Sequence, residues 1–262
     1  MSDVFFINWQ DPISRRWYTV AKLQRAFGQY IFAYTSGSLH SPNFSPFAGL
    51  TDRNSIYVSP ELFPIFANRV MNERRPEFSQ YARWSGIYED RQHTDPLLLM
   101  ARMGGGRATD TLEVHPVPEQ NPNGFYETVF FCHGVRHVLE QAQARTLALR
   151  PGEQLFPMLD FQNPFDPDAV ALRSSDPSAM IGYCPRYLAG DLKKLVAATH
   201  NSIRVSVKQV NADAPVQFRL LCELVSPWPP GFKPYDDEDH RTLVYFQIED
   251  LAPELQKRAA RN

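Results

Sequence analysis

The chain is poor in cysteine, in net charge and in long apolar runs, and each shortage bears on what it can be. Only three cysteines occur in 262 residues, Cys132, Cys184 and Cys222. They are odd in number, far apart and form no Cys-x-x-Cys pair, which argues against a disulfide framework and for reduced, buried thiols. No stretch approaches the ~18 consecutive apolar residues that a membrane-spanning helix requires. The segment Met1-Ser2-Asp3-Val4-Phe5-Phe6-Ile7-Asn8-Trp9 has neither a basic leader nor a long apolar core, so a signal peptide is not expected. A cytoplasmic protein without membrane contact is the resulting expectation. The formal net charge is −2, with 12 Lys+Arg against 11 Asp+Glu in residues 1–116, 10 against 10 in residues 125–227 and 5 against 7 in residues 228–262. No region is a polycation. This argues against an extended electrostatic track for nucleic acid, and much less against a contact with a few nucleotides.

Motifs of common enzyme chemistries are also missing. Gly104-Gly105-Gly106-Arg107 lacks the spacing and the lysine of a phosphate loop and reads as a turn. His133 and His137 stand four apart, but Gly134 between them and the aromatic run before them point to a strand end, not a metal-binding helix. No Ser/His/Asp or Cys/His arrangement stands out. A hydrolase therefore ranks last, and no catalysis, metal or cofactor is expected.

What the chain does have is an ordinary apolar share, 43%, and many prolines, 22, which favour short strands, turns and caps over long helices. Residues 4–58 read as strands and turns, with Tyr30-Ile31-Phe32-Ala33-Tyr34 a strand. Ser59-Pro60-Glu61 reads as the start of a helix reaching Arg75, and Pro76 as the start of a second, carrying Phe78, Tyr81 and Trp84 and closed by Gly86. Residues 96–101 form a short buried element and 111–114 a strand. The stretch 116–124, Pro-Val-Pro-Glu-Gln-Asn-Pro-Asn-Gly, is a linker. Strands are then expected at 128–131, 155–161, 169–172, 181–185, 203–207 and 218–225. A polar helix or loop spans 138–148, and Leu188, Leu192, Leu195 and Val196 mark a helix. Many short strands with one or two helices predict a small barrel. The tail holds an acidic run, Asp236-Asp237-Glu238-Asp239, before Leu243-Val244-Tyr245-Phe246, a segment able to dock as a strand.

The best candidate site is Asn163-Pro164-Phe165-Asp166-Pro167-Asp168. Two prolines fix φ around an aromatic and a carboxylate, so the loop is stiff before anything binds. Phe165 is then a platform for base stacking, and Asp166 an acceptor for a sugar hydroxyl or a base amine. The alternative from chemistry alone is an Asx-type turn between strands with Phe165 in the core. Gly182-Tyr183-Cys184-Pro185-Arg186 adds a second aromatic and a cation, or simply a strand end and a turn.

Taken together, Gly134-Val135-Arg136-His137, the run from Asn163 to Val170, and Gly182 to Arg186 followed by a helix keep the order and spacing of the HIRAN domain. Residues 125–227 resemble that family, which occurs attached to helicases and as stand-alone bacterial proteins. The resemblance implies an OB-like or SH3-like barrel that grips single-stranded DNA at its 3′ end, with Gly134 to His137 in a first strand. By position, Asp166 would accept the 3′-hydroxyl and Phe165 would stack. Asn163 would position the end, and Arg136, His137, Tyr183 and Arg186 would line the base and phosphate path. Phe165 stands where the family usually has tyrosine, and Asp168 where it usually has asparagine. The first half resembles the N-terminal subdomain of HipA-type kinase toxins at Phe32-Ala33-Tyr34, the 59–75 helix and Leu97 to Gly105, a subdomain used for packing and partner contact. The expected architecture is α+β, in two small domains. Residues 1–118 would form a mixed sheet with helices, 125–228 a small OB/SH3-like β-barrel with one or two helices, and 229–262 a partly docked acidic tail. The expected partners are single-stranded DNA or DNA ends, with a possible protein partner through the N-terminal domain, in DNA repair or phage defence. The alternative is a protein-interaction or antitoxin-like accessory subunit of a bacterial toxin–antitoxin or phage-defence system.

Overall fold

The computed structural model describes residues 3–87, 95–105, 111–164, 166–199, 202–248 and 250–253. They divide into two compact units, one of residues 1–72, 96–117 and 235–262, the other of residues 73–95 and 118–234.

The first unit is built on an antiparallel sheet of β1 (Val4–Gln10), β2 (Trp17–Ala26), β3 (Gln29–Tyr34), β4 (Tyr57–Ser59) and, later in the chain, β5 (Leu112–Pro116), in the order β4-β3-β2-β1-β5. Between β4 and β5 lie α1 (Pro64–Ala67), α2 (Phe78–Trp84) and α3 (Pro96–Arg102). The helix expected from residue 59 is shorter than its cap signal implied. Ser59 still belongs to β4, and its Oγ accepts the Glu61 N–H at 3.1 Å, closing a turn. The proline that opens a helix is Pro64, and only one turn follows, with Phe66 buried. Phe5, Ile7, Leu23, Phe32, Tyr34, Phe66, Leu97 and Met100 fill the core. Tyr34 keeps its hydroxyl satisfied there, donating to the Leu50 carbonyl and accepting from the Phe47 N–H, both at 2.7 Å, which ties the 44–50 loop to β3.

The C-terminal segment packs on this same sheet. Leu243 N–H donates to the Tyr34 carbonyl at 2.9 Å beside a single Thr35–Thr242 bridge, so 243–246 adds no strand. The acidic run ends in a 3-10 turn, Glu238–His240, in which Asp237 accepts the His240 N–H at 3.2 Å. The His240 ring stacks on Tyr235 and meets Phe6 edge-on.

The second unit holds β6 (Phe125–Phe131), α4 (Glu140–Ala148), β7 (Gln154–Leu159), β8 (Val170–Arg173), β9 (Met180–Tyr183), α5 (Arg186–Thr199), β10 (Arg204–Val210) and β11 (Leu220–Pro227). Helix α2 also belongs to it: Asp213 accepts the Trp84 indole N–H at 3.1 Å, and Asn211 donates to the Trp84 carbonyl at 2.9 Å. The six strands pair antiparallel in the order β6-β11-β10-β7-β8-β9. The sheet curls until its two edge strands meet. His133 N–H donates to the Tyr183 carbonyl at 2.9 Å, and Tyr183 N–H to the His133 carbonyl at 2.8 Å. The result is the small, near-closed barrel that the strand pattern predicted, with the OB/SH3-like character that the family resemblance implied. Leu188, Leu192 and Leu195 of α5 pack into its core at helical spacing. The three cysteines lie in that core as packing residues. Burial raises all three thiols, Cys132 to about 12, so they stay protonated.

The closure depends on glycine. A Cβ on Gly182 would stand 2.4 Å from the His133 carbonyl oxygen and 2.6 Å from Cys132 Sγ. Gly182→Ala therefore forces the closing strands apart, and we expect a loss of about 1–3 kcal/mol in denaturant unfolding. Gly190, on the exposed face of α5 with nothing near its missing Cβ, is the control; Gly190→Ala should gain about 0.5–1 kcal/mol.

Acid sensitivity is expected from the first unit. Burial acts to raise the Asp11 pKa, but donors from Ser41, Asn43, Ile13 and Ser14 outweigh it and hold the carboxyl well below its usual 3.8. A pKa depressed by folding means stability that is full above the unfolded value and lost as pH falls below it. In acid titration followed by circular dichroism, Asp11→Asn should be less stable than wild type at neutral pH and decline less steeply below about pH 4.

Candidate nucleic-acid interface

The candidate residues stand where the barrel closes. The β7–β8 connection, residues 160–169, carries the Asn-Pro loop; β9 ends in Tyr183; and Arg186 is the first residue of α5. The loop is the Asx-type turn its composition allowed. Asn163 Oδ1 accepts the Asp166 N–H at 3.1 Å, Asp166 Oδ1 accepts the Asp168 N–H at 3.0 Å, and Ala169 N–H closes onto the Asp166 carbonyl at 3.1 Å. Phe165 lies outside the described residues.

Four of the candidates join one hydrogen-bonded chain. Asp160 Oδ2 accepts both the Tyr183 hydroxyl at 2.9 Å and the Asn163 amide at 3.0 Å. Asn163 leads through the Asp166 N–H to the Asp166 carboxylate, whose Oδ2 accepts Arg186 Nε at 2.8 Å. Burial first, and then the bond to Asp160, raises the Tyr183 phenol above its usual pKa, which keeps it a donor. Sequence reading missed Asp160. Nothing marked it in the linear pattern, because its role comes from Tyr183, 23 residues away.

Arg136 and His137 take another place. The resemblance put Gly134 to His137 in a strand, but Gly134 has φ of +70° and breaks it, and Val135–His137 is a 3-10 turn. A side chain on Gly134 would also meet the Tyr183 ring at 3.0 Å. Arg136 and His137 are exposed on that turn, and Arg136 Nε donates to His137 Nε2 at 2.9 Å.

Two cations beside the loop pair with carboxylates. Arg186 pairs with Asp166, and Lys193 of α5 with Asp168. The surface can therefore present acceptors and donors together, but it is no open anion cradle. Among the described residues no group of three or more His, Cys, Asp and Glu side chains is placed to hold a metal ion. No helix among them is long and apolar enough to cross a membrane.

Residues 125–227 match the model of the HIRAN domain. This part of the chain is a HIRAN-like domain. A crystal structure of a protein from Lactobacillus plantarum is 19% identical, over 39% of this chain and 97% of that one, with a TM-score of 0.32. The crystal structure of the HIRAN domain of human HLTF is 14% identical, over 53% of this chain and 95% of that one, with a TM-score of 0.30. No curated protein matches the chain. These findings lend no support to a likeness between the first half and the N-terminal subdomain of HipA-type kinase toxins.

The Tyr183 hydroxyl can be removed without touching the backbone pair that closes the HIRAN-like barrel. Tyr183→Phe should cost about 0.5–1.5 kcal/mol in denaturant unfolding. Hydrogen exchange at the His133 amide should remain slow relative to a destabilised Gly182→Ala chain.

Proposed function

We propose that the HIRAN-like domain binds single-stranded DNA at or near a 3′ end and catalyses no reaction. The observation that carries this reading is Asp166, on a turn braced by Asn163, Asp160 and Tyr183, paired with Arg186 at the start of α5. Asp166 accepts only, so it suits a terminal hydroxyl and repels a terminal phosphate. Arg186, held beside it, suits the phosphate that precedes the last sugar, a charge-assisted contact that positions the strand without reading sequence. Arg136 and His137, on the turn after the closing pair, supply further contacts to bases or phosphate. The test is a titration of the full chain with short DNAs that are single-stranded, duplex, or blocked by a 3′-phosphate. The free single strand should bind best, and Asp166→Ala should bring the ratio between 3′-hydroxyl and 3′-phosphate ends toward one. Contacts from Arg136 and Arg186 alone predict a shallow salt dependence, with a log–log slope of about −1.4 at roughly −0.7 per phosphate. Equal binding of hydroxyl and phosphate ends by wild type removes the end-recognition reading.

A second reading rests on the charge balance, 10 Lys+Arg against 10 Asp+Glu in residues 125–227, and on the pairing of Arg186 and Lys193 with acids. It makes the domain a protein-binding, antitoxin-like accessory subunit. A complex that survives ~1 M salt, where phosphate contacts are screened, would favour it.

A further inference from the structure

Phe161 is 75% exposed, one residue from Asp160 and two from Asn163. A lone exposed phenylalanine is ordinary. This one sits on a backbone held at both ends. Asp160 N–H donates to the Ala169 carbonyl at 3.0 Å, and Asn163 N–H to the Asp160 carbonyl at 3.1 Å, closing a four-residue turn with Phe161 in its second position. The Asp160 carboxylate is in turn held by Asn163 and Tyr183. Much of the ordering needed to present the ring is already met by folding, so little is added on binding. Met158 and Leu159, at the end of β7, are each 39% exposed.

We propose that Phe161 is a stacking platform for one nucleobase of the bound strand, a role the sequence reading gave to Phe165 and, as a second aromatic, to Tyr183. The proposal rests on the DNA-binding reading above. A flat apolar ring, with a carboxylate, an amide, a phenol and a guanidinium within the same braced cluster, fits a ligand that is apolar on its faces and polar around its edges. A nucleobase has that chemistry. A protein side chain docking there would want a walled pocket, and a ring this exposed has few walls. Stacking of this kind tolerates any base, because every base presents a π face.

The test uses the full chain and a 5′-labelled single-stranded oligothymidine with a free 3′-hydroxyl, compared with versions carrying one abasic site at each of the last few positions. For wild type, one abasic position should weaken Kd roughly 5- to 150-fold, the range for one stacked base. Phe161→Ala should lose a similar factor on the intact strand and show no further penalty at that position, and Phe161→Trp should keep both affinity and penalty. The thermal midpoint of each variant should match wild type, as expected for a surface side chain. If Phe161→Ala binds as wild type does, or keeps the same abasic penalty, the platform is overturned while DNA binding stands, and the ring is left for a protein partner. If wild type binds no oligonucleotide, the platform and the DNA reading fall together.

Discussion

The antiparallel pair between His133 and Tyr183 is the contact on which the second unit depends. It joins the two edges of a six-stranded sheet, and so converts an open sheet with two unpaired edges into a near-closed barrel. It exists because position 182 has no side chain: the His133 carbonyl and the Cys132 sulfur occupy the space a Cβ would take. Gly134 completes the closure from the other side, turning the chain at φ of +70° against the Tyr183 ring.

Tyr183 links this closure to the site. Its backbone seals the barrel, and its hydroxyl holds Asp160, which holds Asn163, which orders the turn bearing Asp166. Site and closure are thus parts of one hydrogen-bonded structure, and the orientation of Asp166 and Arg186 is set during folding. Preorganisation of this kind matters more here than charge. The domain carries as many acids as bases, so the DNA binding proposed for it would rest on a few contacts held in place, not on counterion release along a track.

The first unit solves a different problem. Its sheet is rich in aromatic residues, and Tyr34 can be buried there because its hydroxyl finds both a donor and an acceptor. The C-terminal segment covers part of the sheet through Tyr235, His240 and Leu243. The acidic run stays exposed at residues 236–238 while it folds into a turn capped by Asp237, which accepts the His240 N–H.

Elements with a clear local period were legible in the sequence. The strands near 128–131, 169–172 and 203–207 and the helix through Leu188, Leu192 and Leu195 read correctly, since alternation and 3.6-residue spacing record burial directly, while the strand expected at 155–161 stops at Leu159, where Asp160–Asn163 closes a turn. The helix from Ser59 misled because a serine–proline cap signal also suits a tight turn, and the Gly134 segment because a glycine in a family pattern does not say which φ it takes. By itself, then, the sequence determined that the second half is a small barrel with a stiff Asn-Pro turn, through patterns that involve only near neighbours. Only the tertiary structure decided that Asp160 holds the site together, that Arg186 is paired with Asp166, and that Phe161 stands exposed beside them. Those facts depend on side chains up to 23 residues apart meeting across strands, and no local pattern encodes such a meeting.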